Sequence, residues 1–564
     1  MAAKSFGFHI GTVVGNTSPQ EFRFVLRSFA AKLGDLVCVQ MDVPSGDRRK
    51  SVLVWGRIVE LARFNPFLPA EAGQELADES VGLIDTVLSY SRDQIEGRVL
   101  VLGSSDTGDL KKVLPLSYPV HPGAEVRRPP SEAIKSFLTG DEDTHRLRLG
   151  SLIGREDVEV RLKTNAIVAR HMAILAMTGG GKTVAARRVI RELLNARYPL
   201  VIIDPHGDYL GLWARRDLFP QNKIRLFFPH LSVKEENRDL IGYLVAQMTQ
   251  GFTDVQKEKY QEALENVPLT STGIDVNTFI DRLLQEVDRL SAGHRGTLPA
   301  VRRGLKIVQS YLAAMNTSNA RLRQQTDLPF EPMPDPATEP ENFAQPGQVS
   351  ILYLGGYDHL TQSTIVAVVL KHLFEHRASM SNRIPPFLAV IEEAHNFIPS
   401  HGEGQAGTPS VEVIRKVITE GRKFGTGLLL ISQRPSRLDE TTLSQCNTFL
   451  IFRLVNPRDQ GFVEKVMENL TKADSRLLPG FGPGQGIVSG QAVRFPLLLQ
   501  VDFDQDLVTP AIGHEDFLQE VADWEASPQA AAVARSSEML EELERVAGGR
   551  AQTKRRTVSD AQGT

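Results

Sequence analysis

Two textures of apolar patterning divide the chain. Through residues 1–130 short β-rich runs recur: Phe8–Val14, Phe22–Leu26, Leu36–Met41, Ser51–Glu60 and Glu96–Leu102. Turn-forming clusters such as Pro44-Ser45-Gly46-Asp47 separate several of them. That spacing predicts a small all-β barrel. Pro66–Ser80 reads as a loop with some helix, Val126–Pro130 as a linker and Ser131–Leu138 as a short helix. From Gly150 onward short apolar runs alternate with helical patterns. The predicted buried strands are His171–Ala176, Pro199–Asp204, Val349–Leu354, Phe387–Ile391, Gly427–Ser432 and Thr448–Leu454. Most are followed by a helix-patterned stretch, the signature of a parallel sheet with crossover helices.

A long, charged, helix-patterned stretch, Val233–Gln325, interrupts this series, and the Pro-rich connector Pro329–Gln348 follows it. We read it as an inserted helical subdomain with an exit linker. The fold class is therefore α/β, a core of parallel strands and crossover helices with an N-terminal small β-barrel and a helical insertion. The expected boundaries are a barrel over 1–130, core over 150–232, insertion over 233–330, core again over 331–505, and a helical or disordered tail over 506–564. No internal repeat is visible.

Composition narrows the function. The 564 residues suit about two to four domains, and 41% hydrophobic residues suffice for ordinary cores. A net charge of −4 argues against a uniformly basic surface, yet a ring or cleft can concentrate positive charge on an inner face. The two cysteines, Cys38 and Cys446, make a disulfide framework or a cysteine zinc site improbable. Met1–Gly7 is not followed by the apolar segment of a signal peptide, and no apolar run approaches the ~20 residues that span a bilayer. The expectation is a soluble, cytoplasmic protein that does not span a membrane.

The chemistry begins at Ala176-Met177-Thr178-Gly179-Gly180-Gly181-Lys182-Thr183. It resembles the P-loop pattern of Gly, four residues and Gly-Lys-[Ser/Thr], with Ala176 in the first position. Glycines let successive backbone N–H groups curl around phosphates. Lys182 sets a cation against the β- and γ-phosphates, Thr183 offers a hydroxyl to Mg²⁺, and the following helix points its positive end at the anion. The expected ATP-binding set is Thr178, Gly179, Gly180, Gly181, Lys182, Thr183 and Val184.

Hydrolysis also needs a metal-side acid and a group that orients or deprotonates water. Glu392 and Glu393 follow the apolar run Phe387–Ile391, which puts them at the ligand-binding edge of an open α/β sheet. Glu392 is the Mg²⁺-side candidate, through a metal-bound water, and Glu393 the candidate base. Gln433 ends another strand, as a γ-phosphate sensor or a simple strand cap. Asp204 and His206 end a third, where turn chemistry and a catalytic role weigh equally. His395 either couples the site to the next helix or is a structural hydrogen-bonding residue.

Together with Val168-Ala-Arg-His171, Ile203-Asp-Pro-His-Gly-Asp-Tyr209, Glu392-Glu-Ala-His-Asn-Phe397, Glu420-Gly-Arg-Lys-Phe-Gly425, Ser432-Gln-Arg-Pro-Ser-Arg437 and Ser444-Gln-Cys-Asn-Thr448, these motifs resemble the HerA family of hexameric ATPases, relatives of the FtsK DNA pumps. The resemblance covers residues 6 to 504. It implies a HAS-barrel, a RecA-like core, a homo-hexamer with double-stranded DNA in its channel, and ATP sites between subunits. It also implies that Arg422 acts as an arginine finger from a neighbour and that Arg170 is a second arginine of the nucleotide site. A guanidinium suits the charge of a transferring phosphoryl group. Such ATPases work with a NurA-like nuclease in DNA repair, or with an antiphage effector such as a Sir2-like NADase or another nuclease, docked on the barrel. Glu392 stands where Asp is commoner. The Gly-rich segment Ser400–Ser410, which has no Lys or Arg, is a weak candidate for DNA contact, and Arg187 and Arg188 read equally as DNA contacts or as helix-surface charges.

The leading function is an ATP-driven DNA translocase or helicase. The alternative is an ATP-regulated hexameric scaffold that activates an effector on its barrel face. A metabolic P-loop kinase lacks an obvious acceptor domain. If Lys182 holds the phosphates, Lys182→Ala takes ATP turnover to background in a phosphate-release assay; undiminished turnover contradicts the assignment.

Overall fold

The computed structural model describes residues 6–27, 30–45, 48–64, 94–140, 145–229, 232–235, 238–248, 252–270, 273–291, 298–310, 329–379, 384–400, 408–467, 470–504 and 521. The Gly46-Asp47 turn, the Pro66–Ser80 loop, most of Ser400–Ser410 and the tail beyond Asp504, save Val521, lie outside the described residues. The chain forms two compact units. The first gathers Met1–Ala166, Ala176–Gly181 and Thr448–Asp502; the second gathers Ile167–Leu175, Lys182–Asn447 and Phe503–Thr564.

In the first unit, β1 (Phe8–Val14), β2 (Glu21–Leu26), β3 (Leu36–Ser45), β4 (Arg48–Phe64), β5 (Gln94–Asp106), β6 (Asp109–Leu114) and β7 (Glu125–Arg128) form one sheet. Its order is β2-β1-β7-β3-β4-β5-β6, and β2 also pairs with β5. Six strands thus close into a barrel and β6 extends it beside β5. Closure works because alternate positions are apolar: Phe22 and Phe24, Val37 and Val39, Val52 and Val54 fill the interior with Ile10, Val13, Val99 and Val126. The linker reading of Val126–Pro130 is corrected here. β7 pairs antiparallel with both β1 and β3 and closes the ring. With Val126 its single apolar residue, Glu-Val-Arg-Arg carries no alternation to read. Helix α1 (Ser131–Thr139) follows, then a hairpin of β8 (Arg146–Leu152) and β9 (Arg155–Lys163). Charges at Arg146, Arg148, Glu159 and Arg161 hide that hairpin from a search for apolar runs.

The second unit carries a parallel sheet. Its strands are β10 (Met172–Leu175), β11 (Leu200–Asp204), β12 (Lys223–Phe228), β15 (Phe330–Pro332), β16 (Gln348–Tyr353), β17 (Phe387–Ile391) and β18 (Thr426–Ser432). They run β15-β12-β16-β11-β17-β18-β10, and every described pairing among them is parallel. The two-residue strands β13 (Ser232–Val233) and β14 (Ile274–Asp275) pair separately. All residues of β10, β11, β17 and β18 are buried, so these strands read as continuous apolar runs rather than alternating ones. β12 escapes that reading because Lys223 and Arg225 interrupt it. The Pro-rich connector contributes β15 at the sheet edge, where a proline does not break a central ladder. Its helices include α2 (Lys182–Asn195), α3 (Arg238–Met248), α4 (Asp254–Asn266), α5 (Val276–Ser291), α6 (His359–Ala378) and α7 (Ser410–Phe424). Parallel strands bring the C-terminal residues of β11, β17 and β18 to one edge. Among the described residues no helix is long and apolar enough to cross a membrane.

The first unit is completed by β19 (Thr448–Ile451), β20 (Gln485–Gly490) and β21 (Leu497–Val501). Of the expected strand Thr448–Leu454, residues Thr448–Ile451 form β19, which pairs antiparallel with β20, β20 with β21, and β21 with β8. These elements cover the outer face of β4. Trp55 stacks on Phe137 of α1 at 4.2 Å, and Phe137 stacks on Phe495 at 4.9 Å. Trp55 Nε1 donates to Ser105 Oγ at 2.8 Å. Two residues on, Arg57 meets Asp474 at 2.7 Å with both side chains at most 2% exposed. Asp474→Ala leaves that guanidinium buried without its counter-charge, so denaturant unfolding should show a loss of about 3–5 kcal/mol. The paired change Arg57→Met with Asp474→Leu should recover most of it.

Candidate active site

Lys182 opens α2 and is 8% exposed. Its Nζ donates to Glu392 Oε1 at 2.5 Å and to Glu393 Oε1 at 2.8 Å. Successive residues of an extended strand point to opposite faces, so adjacent carboxylates do not ordinarily converge on one cation. They converge here because Glu393 leaves β17 in the left-handed region, with φ 49° and ψ 47°. A non-glycine residue held there costs of order 1–3 kcal/mol. Gln433, at the tip of β18, donates from Nε2 to Glu393 Oε1 at 2.5 Å. Glu393 Oε2 is buried and accepts no well-formed hydrogen bond; its neighbour is His395 Nδ1 at 3.2 Å.

The titration of these groups follows from burial and mutual charge. Burial disfavours the Lys182 ammonium, but the two glutamates outweigh it and its pKa is raised. Burial raises the pKa of Glu392 despite Lys182 and Tyr209. For Glu393 burial pushes upward too, but hydrogen bonding and attraction from Lys182 leave it lowered. Burial, with Arg434 and Arg437 nearby, keeps His395 below its ordinary value although Glu393 opposes this.

Asp204 has turn chemistry. Its Oδ1 accepts from the N–H groups of Gly207 and Asp208 at 2.8 and 3.0 Å, and its Oδ2 from that of Tyr209 at 2.9 Å. Burial pushes its pKa up to about 7 against those donors. His206 is exposed. The turn delivers Tyr209, wholly buried, whose hydroxyl donates to Glu392 Oε2 at 2.7 Å. Tyr209 is absent from the sequence-derived site. A tyrosine five residues beyond a strand-ending Asp gives no sign of its target, which lies on a different strand. Arg187 donates to the Asp208 carbonyl at 2.7 Å, and Arg188 pairs with Asp504 and Glu192 at 9% exposure, which removes Arg188 as a DNA-contact candidate.

The glycine turn belongs to the first unit. Gly179 and Gly181 have φ +75° and +103°. A Cβ on Gly181 would come within 2.9 Å of the Gly484 nitrogen. A Cβ on Gly180 would lie 3.2 Å from the Ala176 methyl, so Ala176 is tolerated where glycine is usual because position 180 has no side chain. Thr178 and Gly179 are exposed; Thr183 and Val184 are half-buried at the start of α2. Arg422 is exposed in the last turn of α7, and Arg170 is half-buried before β10.

Replacing Asp204 by Asn sets an amide donor against a backbone N–H of the turn. Thermal or denaturant melting should show a loss of about 1–3 kcal/mol; a melt matching the parent would mean those donors do not depend on the carboxylate.

The family described as "Helicase HerA, central domain" matches residues 147–373. The chain is 27% identical over 472 residues to a probable DNA double-strand break repair helicase HerA of Methanocaldococcus jannaschii, covering 75% of this chain and 88% of that one. It is 26% identical to the DNA double-strand break repair helicase HerA of Pyrococcus furiosus, covering 72% and 78%. Among solved structures, VirB4 of Thermoanaerobacter pseudethanolicus aligns at 13% identity with a TM-score of 0.45, covering 65% of this chain and 99% of that one. Residues 147–373 thus match the central domain of the HerA helicases, and over most of its length the chain is similar to relatives named as DNA double-strand break repair helicases.

Proposed function

We propose that the protein is an ATP-driven translocase or helicase of double-stranded DNA that works as a homo-hexamer. The observation that carries this reading is the buried cluster in which Lys182 is shared by Glu392 and Glu393 while Gln433 holds Glu393. A lysine following a glycine turn, facing two strand-end carboxylates, has the parts that phosphoryl transfer to water requires. Relatives over most of the chain are named as DNA double-strand break repair helicases, which supports DNA as the track.

In this reading the Thr178–Val184 segment cradles the nucleotide phosphates and Lys182 exchanges a carboxylate for phosphate oxygen. Thr183 and Glu392 would hold Mg²⁺, which when bound draws charge off the transferring phosphoryl group. The half-buried Thr183 and the doubly bonded Glu392 suit an oxygen-seeking cation. Glu393 Oε2, a buried acceptor without a well-formed hydrogen bond, orients the attacking water and takes its proton. Releasing Lys182 to the phosphates removes the attraction that holds Glu393 low and makes it a better base. Gln433 reports the γ-phosphate through its bond to Glu393. The exposure of Arg422 suits a finger reaching a neighbouring subunit's site, with Arg170 as a second arginine.

The domain reading assigns 1–130 to a HAS-type barrel, 150–232 and 331–505 to a RecA-like core, 233–330 to the insertion and 506–564 to a tail. The barrel would dock a NurA-like nuclease or an antiphage effector such as a Sir2-like NADase. ATPase assays with and without duplex DNA, beside mass photometry, test the proposal. Expected are a hexamer, hydrolysis stimulated by duplex of any sequence and weakened by salt, and a Glu393→Gln variant that binds ATP without hydrolysing it. A stable monomer, or activity indifferent to DNA, overturns the motor. Activation of a partner effector by the Glu393→Gln ring would favour the scaffold reading instead.

A further inference from the structure

Beside the Lys182 cluster runs a second chain of buried contacts. It starts at Asp204, whose two carboxylate oxygens take three backbone N–H groups and fix the turn after β11. The carbonyl of Asp208 in that turn is held by Arg187, five residues beyond Lys182 on α2. The turn ends on Tyr209, whose ring is 0% exposed and whose hydroxyl donates to Glu392 Oε2 at 2.7 Å. Glu392 is itself 0% exposed, and its other oxygen accepts from Lys182. Each Glu392 oxygen thus has one named donor, and the two donors come from different elements.

We infer that Tyr209 is a positioning residue for the ATPase reaction, holding Glu392 in one orientation after Lys182 turns to the phosphates. The inference rests on the reading of Glu392 as the metal-side acid. A buried carboxylate that loses the cation it was paired with is free to rotate. A phenol O–H aimed at one of its oxygens opposes this by fixing the rotamer. The other oxygen is then left facing the site. Tyrosine is suited to this place because its ring fills a closed space in the second unit while its tip carries a single donor.

The test is Tyr209→Phe in the full chain, read by steady-state ATPase against Mg²⁺ concentration. Binding of a fluorescent ATP analogue in EDTA serves as the control for a formed site. The expected result is metal-free nucleotide binding like the parent, kcat down by about tenfold, and a higher half-saturating Mg²⁺ concentration. Added to Glu392→Gln, the same change should cost nothing further, since the phenol acts through that carboxylate. Unchanged Mg²⁺ dependence overturns the inference, as does loss of metal-free binding, which would make the role one of packing. The underlying reading is judged separately: a Glu392→Gln variant with parental activity and Mg²⁺ dependence removes both it and the inference.

Discussion

One ammonium and two carboxylates lie together where water is almost excluded: Lys182 is 8% exposed, Glu393 4% and Glu392 0%. Burying those charges separately would cost several kcal/mol for each ion, so each requires the others. The requirement reaches into the backbone. Glu393 takes a left-handed conformation that an L-residue adopts only under compulsion, and its return is a second contact to Lys182. Gln433 adds a hydrogen bond to Glu393 Oε1 and Tyr209 one to Glu392 Oε2, and Glu393 Oε2 is left without a well-formed one. An ammonium bound this way is held in reserve, since a phosphate must compete with carboxylates for it.

The parallel sheet makes this arrangement available. β11 lies beside β17, and β17 beside β18, with consecutive registers and no bulge. Their C-terminal ends therefore deliver Asp204, Glu392 with Glu393, and Gln433 to one edge. Full burial of these strands accounts for their unbroken apolar sequence and for the abrupt appearance of polar residues at their tips. Asp204 is spent on backbone N–H groups, which makes it a structural acid next to two functional candidates. Three strand-end acids of similar burial are thus separated in role by what surrounds them.

The first unit uses different physics. Its barrel closes around alternating apolar side chains, while the middle of β4, residues 52–59, is buried on both faces. Stacked rings cover the outer face at Trp55, and a buried ion pair covers it at Arg57. In the same unit the glycine turn passes so near Gly484 that position 181 admits no side chain.

The sequence by itself determined the strands that are long apolar runs, since such runs have no other economical place than a sheet interior. Phe387–Ile391 and the runs ending at Asp204 and Ser432 are of this kind. It also placed Lys182 after a glycine turn and Glu392 and Glu393 at the end of a strand, because Gly-rich turns and acids after apolar strands are local patterns. It did not reveal β7, β12 or the β8–β9 hairpin, whose pairing partners supply what their charged sequences lack. It also gave no sign that Thr448–Ile451 pairs antiparallel with β20, because an apolar run of four residues does not name its partner. Only the tertiary structure decided that Asp204 serves a turn, that Arg188 is bound in an ion-pair cluster, and that Tyr209 reaches Glu392 across 183 residues of chain. Those are contacts between residues remote in sequence, and local patterns of polarity hold no record of distance in space.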